Sequence, residues 1–151
     1  MQLMKPGYLL SFALLVASFS MVAAAEPLLS VSAVVKDAVP ESRELSRGEG
    51  QYSETLHVMK ATLVSTEHVE KMEVTVEPPG VIVTLTEDGG KKFATATADM
   101  KGGRLAIMVK GKVMSAPVIQ NGPLGRVFLI TGFAKAAEAE ELAGEFAKIR
   151  K

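Results

Sequence analysis

The chain has two histidines, His57 and His68, and no cysteine, so the first chemistry to test is metal binding. The two imidazoles fall on different expected elements without thiolate partners, and ordinary surface histidines are the plainer reading. Ser115 would need a histidine and an acid converging on it to act as a nucleophile. It lies between Met114 and Ala116 in a strand-like run, and no G-x-S-x-G elbow is present. Gly111-Lys112 imitates the end of a phosphate loop only in outline: Ala106 stands where the first glycine belongs, and Val113 where Ser or Thr is required. Glu87-Asp88 and Glu140-Glu141 are pairs that an acid–base mechanism could use, but acids at a helix start and on a solvated helix face explain them. Lys91, Lys92, Lys101 and Arg104 form a basic cluster that reads as a charged rim, with an anion or acidic partner as the alternative. No cofactor or metal is expected.

The stretch RLAIMVKGKVMSAP, Arg104 to Pro117, carries more information. Two strand-forming runs flank Lys110-Gly111, a pair of the length that closes a two-residue hairpin. Pairing across it sets Val109 beside Lys112, Ile107 beside Met114 and Leu105 beside Ala116. One face then holds Leu105, Ile107, Val109, Met114 and Ala116, and the other Ala106, Met108, Val113 and Ser115. Both faces are more apolar than a solvated hairpin needs. The first reads as core. The second, Ala106, Met108 and Val113, continued by Ile82 on a neighbouring strand, is a moderate methionine-containing patch that suits an adaptable partner contact. Two other readings stay open: residues 28 to 39 fold back over it as a lid, or two copies pair through it.

The elements that position this hairpin can be read in order. Lys5, an apolar run from Tyr8 to Val22 and Ala23-Ala24-Ala25 before Glu26 have the layout of a secretory signal, cleaved between Ala25 and Glu26. The other reading is an uncleaved signal anchor, the one case in which a membrane partner is expected. Residues 1 to 25 hold Lys5 as their one charged residue, so the exported part has 17 acids against one base fewer than the chain's 17, a formal charge of −1. That balance excludes a strong field for nucleic acid. Without cysteine, an exported domain relies on its hydrophobic core alone.

Residues 26 to 55 read as a tether or partly ordered segment with at best one strand, because VPESRELSRGEGQYSE is charged and lacks apolar periodicity. From 56 to 151 a folded domain is expected. Leu56 to Val64 is strand-prone, Ser65 starts a short helical turn, and Met72, Val74 and Val76 alternate with polar residues up to the Pro78-Pro79-Gly80 turn. Val81, Val83 and Leu85 form one face of the next strand, and Thr86 caps a helix whose Phe93, Ala96, Thr97 and Met100 face the sheet. VIQNGPLGR reads as loop, Val127 to Thr131 as a last strand, and about Ala134 to Ile149 as a terminal helix with Ala139, Leu142, Ala143, Phe146 and Ile149 inward. The fold class is α+β: a ferredoxin-like two-layer sandwich, its largely antiparallel sheet carrying two main helices on one face.

In this order, VTLTEDGGKKFATAT (Val83 to Thr97), RLAIMVKGKVMSAPVI (Arg104 to Ile119) and Gly132 with EAEELA (Glu138 to Ala143) resemble the head subdomain of the first periplasmic domain of SecD, an accessory subunit of the Sec protein-export machinery. The resemblance spans about Leu56 to Ile149. It implies a ferredoxin-like module facing the periplasm and engaging emerging polypeptide. Two positions depart from the family pattern: Lys110 stands where the hairpin tip usually has Asp or Asn, and Ala134 replaces the hydroxyl cap before the last helix, leaving Thr131 as a substitute. No second hydrophobic span follows the first, so no proton-driven membrane part is expected in this sequence.

Three functional classes follow. The first is a non-enzymatic periplasmic binding module contacting exported polypeptide or an envelope protein partner. The second is a self-associating structural or assembly protein of the envelope, a homo-oligomer without a Sec role. The third, an enzyme, would need a cleft uniting Ser115, a histidine and an acid, for which the spacing gives no support.

Overall fold

Serines alternate with apolar residues in LSVSAVV, and that alternation places the segment at the centre of a sheet rather than in a tether. The computed structural model describes residues 26 to 150, so the expected leader and Ala25 lie outside the described residues, and Glu26 is the first within them. Its strands are β1 (Leu29–Val35), β2 (Ser42–Arg47), β3 (Glu54–Met59), β4 (Val64–Ser65), β5 (Val69–Thr75), β6 (Gly80–Leu85), β7 (Arg104–Val109), β8 (Lys112–Ser115) and β9 (Val127–Ile130). Two helices, α1 (Glu87–Thr97) and α2 (Ala136–Ile149), complete it. The α+β character, the antiparallel pairing and the two helices agree with the sequence reading, but the strands divide into two sheets. One runs β2-β3-β1-β7-β8 with β4 also on β1, and the other runs β5-β6-β9.

The expected tether is corrected here. β1 pairs with β7 from Leu29 opposite Val109 to Val34 opposite Arg104, and with β3 and β4 on its other side. Its Leu29 and Val31 enter the main core. β2, from the charged SRELSR run, pairs with β3 over six positions. Periodicity missed it because this edge strand contributes a single apolar side chain, Leu45, to the interior.

The hairpin forms at Lys110-Gly111 as expected, with Val109 opposite Lys112, but its register slips at Met114. Met108 faces Val113 and Ile107 faces Ser115. The extra residue is a β-bulge, and beyond it each residue swaps faces. Ala116 therefore joins Ala106, Met108 and Val113 instead of the main core, while Met114 packs against Leu105 and Ile107's cluster.

Each helix starts by a local device. The Thr86 hydroxyl accepts the Gly89 N–H at 3.0 Å, the cap read from the sequence. At α2 the Glu138 carboxylate reaches back to the Ala134 N–H at 3.0 Å, so an acid one turn in, not Thr131, satisfies that donor. Phe93 and Thr97 of α1 are buried, as are Ala139, Leu142 and Phe146 of α2, whereas Ile149 on the same stripe is exposed. The core they share with β1, β6 and β7 is continuous from Leu28 to Phe146.

Candidate functional site

The face expected to meet a partner is closed. Ala106, Met108 and Val113 are 0%, 1% and 4% exposed. They form a second core with Leu56, Val58 and Ala116, against which Val34 and Leu45 pack. The cause is the coiling of the six-stranded sheet: β2 and β3 curl over the inner face of β7 and β8. Small side chains at Ser30, Ser32 and Ala106 on that inner face allow the close approach, and Ser30 and Ser32 are themselves buried. Cover from within the chain is thus what the structure shows, supplied by strands of the sheet itself. Ile82 does not share this face. It lies on β6 in the other sheet, half-buried, opposite Leu129 of β9.

The other candidate residues do not converge. His57 pairs on β3 with Val35 and Glu44, whereas His68 ends a 3-10 turn and accepts the Ser65 N–H on Nδ1 at 3.1 Å. Among the described residues no group of three or more His, Asp or Glu side chains is placed to hold a metal ion. Ser115 sits in the hairpin opposite Ile107 and has no hydrogen bond to either histidine among the described residues.

An apolar groove, which the sequence reading passed over, opens where Leu129 stands. Val31, Phe93, Leu105, Ile107, Pro117, Val118, Ile119, Leu124, Phe128 and Leu129 line it with Gln120 and Asn121, around about 410 Å³. Its floor is aromatic: the Phe93 and Phe128 rings stand 5.8 Å apart and tilted by 53°. One wall is the segment from Pro117 to Arg126, which reads as loop and carries only one isolated bridge, Arg104 with Val118. Backbone bonds nevertheless tie it to the turn between α1 and β7, Gly102 N–H to Ile119 carbonyl at 2.7 Å and Ile119 N–H to Gly103 carbonyl at 2.8 Å. Buried Thr97 adds a third tie, since its hydroxyl donates to the Phe93 carbonyl at 2.8 Å and accepts the Leu124 N–H at 2.9 Å. The signal in the sequence was Thr97 itself, a hydroxyl on the inward stripe of a helix, which needs a partner.

Among the described residues, no ionisable group lines the groove. It offers dispersion and apolar contact plus two side-chain amides. Val118 and Leu129 on its rim are 54% and 44% exposed, and Val127 beside them 59%. β9 is the outer strand of its sheet, paired with β6 on one side and with no strand among the described residues on the other. Phe128 and Leu129, successive residues of β9 that point to opposite faces of the strand, both line the groove, which therefore reaches round its open edge. Among the described residues, no helix is long and apolar enough to cross a membrane.

Two antiparallel sheets with two helices on a shared core define an α+β domain of the two-layer type. The chain matches the model of the SecDF P1 head subdomain over residues 39–146 and belongs to that family. The match begins inside the segment read as a tether, in keeping with the place of β2 in the sheet. The chain is 37% identical over 106 residues to the protein translocase subunit SecD of Magnetococcus marinus, covering 68% of this chain and 20% of that protein. Over 65 residues it is 42% identical to the protein translocase subunit SecDF of Thermus thermophilus, covering 43% of this chain and 9% of the relative. The crystal structure of SecDF in its super-membrane-facing form shares the fold with a TM-score of 0.63 at 22% identity, over 81% of this chain and 19% of that one. The chain thus spans between 9% and 23% of the curated relatives it matches. The resemblance read from the hairpin and α1 stands on these findings.

Proposed function

We propose that this domain is a non-enzymatic periplasmic binding module that contacts unfolded exported polypeptide as part of Sec-linked export. The observation that carries the reading is the uncharged apolar groove beside the open edge of β9. An extended chain can add main-chain hydrogen bonds to such an edge while its apolar side chains enter the groove, a combination indifferent to sequence and selective for unfolded polypeptide. Membership of the SecDF P1 head family supports the link to export, and the run before Glu26 supports delivery to the periplasm. The groove replaces the closed Met108 face as the contact surface.

The test is fluorescence anisotropy with a labelled secretory polypeptide held unfolded, compared with the same polypeptide folded. Binding confined to the unfolded form is expected, with Leu129→Glu and Val118→Glu each weakening it roughly tenfold, the worth of one buried aliphatic side chain. Equal binding by wild type and both variants would remove the groove from the function. Loss of binding together with a concentration-dependent dimer that Leu129→Glu abolishes would assign the same edge to self-association.

A further inference from the structure

The coiling that closes the second core leaves a polar notch at one end of it. Glu26, Pro27, Ser30, Ser32, Arg43, Lys60 and Thr62 line this notch, around about 300 Å³. It exists because the chain between β3 and β4 leaves the sheet: Val58 of β3 pairs with Val34 and Val64 of β4 with Val31, so the intervening residues bow outward and carry Lys60 and Thr62 to the rim. The Lys60 N–H, bonded to the Glu41 carbonyl at 2.8 Å, fixes that bow against the β2 side.

Two donors in the notch are unused. The Ser32 hydroxyl, on a residue 1% exposed, has no hydrogen-bond partner among the described residues, and neither has Arg43 Nε. The rest of the Arg43 guanidinium is engaged unevenly. Nη1 meets the Glu26 carboxylate at 3.1 Å, while Nη2 has only the Met108 thioether at 3.7 Å, a weak acceptor. Nε and Nη2 form the side edge of a guanidinium, the edge that grips an oxyanion with two parallel bonds. Arg43 and Ser32 line the same notch, and the Nε of this edge is buried, as is the Ser32 hydroxyl. Lys60 forms no ion pair among the described residues and adds a positive charge at the rim. Arg43 and Lys60 thus exceed the single carboxylate of Glu26 by one positive charge. Buried donors without acceptors cost stability unless something accepts from them.

We propose that this notch binds a small oxyanion, a carboxylate or a phosphate-like group, held by the Arg43 side edge and the Ser32 hydroxyl. Glu26 occupies Nη1 and is its intramolecular competitor. The site lies in the six-stranded sheet, not in the groove, and is independent of polypeptide binding.

Isothermal titration of the full-length chain with inorganic phosphate, sulfate and acetate, in a constant sodium chloride background, tests it. Saturable binding of at least one probe is expected. Arg43→Lys, which keeps the charge but loses the fork, should weaken it by about tenfold or more, and Ser32→Ala several-fold. Glu26→Gln should tighten it. Binding of acetate alone would identify a carboxylate ligand, and binding of phosphate or sulfate alone a tetrahedral one. Absence of saturable heat with all three, or affinities unchanged in both Arg43→Lys and Ser32→Ala, would overturn the proposal. Circular dichroism of each variant separates loss of the site from loss of the fold, and Ser32→Ala, the smallest change, keeps the test decisive.

Discussion

Arg104 holds Glu54 by two parallel hydrogen bonds, Nη2 to Oε1 at 2.9 Å and Nη1 to Oε2 at 3.2 Å. Its Nε donates to the Ala116 carbonyl at 3.0 Å, and Arg47 Nη1 approaches Glu54 Oε1 at 3.4 Å. One guanidinium thereby links the start of β7, the start of β3 and the chain just beyond β8, tying the β7–β8 hairpin to a strand that lies beyond β1 in the sheet. The hydrogen bonds from Arg104 hold the Glu54 carboxyl below its ordinary value, and the same bonds raise the Arg104 pKa.

A depressed carboxyl pKa gives stability above the unfolded value of about 4.5 that is lost as pH falls through the folded one. Glu54 is 38% exposed and solvent screens the pair, so its worth is about 1 kcal/mol rather than that of a buried ion pair. Glu54→Gln should therefore cost about 1 kcal/mol near neutral pH, and the gap between variant and wild type should close in acid. Urea titrations near pH 7 and near pH 3 measure it. A gap of the same size at both would show that packing, not charge, holds this junction.

Met108 gives a sharper test of the second core. Burial of its side chain at 1% exposure among Leu56, Val58 and Val113 predicts a loss of about 2–4 kcal/mol for Met108→Ala and less than about 1.5 for Met108→Leu. Met108→Glu should cost more than Met108→Ala, since its carboxylate would enter an apolar interior in which, among the described residues, the Nη2 of Arg43 is the polar group that contacts this side chain. A Met108→Glu variant as stable as wild type would mean that β2 and β3 lift away from β7 in solution.

At the hairpin tip, Lys110 and Gly111 have φ of 52° and 80°, both in the left-handed region that a type I′ turn requires. Lysine adopts it at a cost that asparagine largely avoids. Lys110 also bonds Glu145 of α2 at 2.6 Å, and that bond raises its pKa, but the lysine is solvent-exposed. The backbone effect should win: Lys110→Asn raises the thermal unfolding midpoint and Lys110→Val lowers it. If Lys110→Asn instead lowers the midpoint, and added salt erases the difference, the Glu145 pair is the stronger influence.

What could be read in the sequence followed from local period and local chemistry. The α1 stripe of Phe93 and Thr97, the Thr86 cap and the Lys110-Gly111 turn each depend on neighbours within a few residues, and each formed. The errors came from relations that no window contains. The bulge at Met114 is one residue long, yet it moves Ala116 from one core to the other. β1 is hidden because its serines are polar by type and buried by position, and β2 because its six pairs to β3 need backbone rather than apolar side chains. The coiling that covers Met108 is a property of the whole sheet. The groove was missed for the converse reason: Phe93, Leu105 and Phe128 look like core residues, and only their arrangement around the Pro117–Arg126 wall leaves space.

Gly90 tests how β6, α1 and the start of β9 are locked together. It lies in the first turn of α1, where alanine is intrinsically better than glycine by about 1 kcal/mol. A Cβ there, however, would collide with the Arg126 side-chain stem, which crosses the helix at this point. Arg126 cannot yield freely, because its Nε and Nη2 donate to the Leu85 carbonyl at 3.1 and 3.0 Å and Nη2 also meets Glu70 at 3.1 Å. Gly90→Ala should therefore destabilise the protein despite the gain in helix propensity. In an Arg126→Ala background, with the stem removed, the same substitution should become neutral or stabilising, by up to about 1 kcal/mol. The four urea midpoints of this cycle give the coupling directly. A Gly90→Ala effect of the same sign and size in both backgrounds would mean that the glycine is kept for the backbone of α1 alone and that Arg126 merely rests on it.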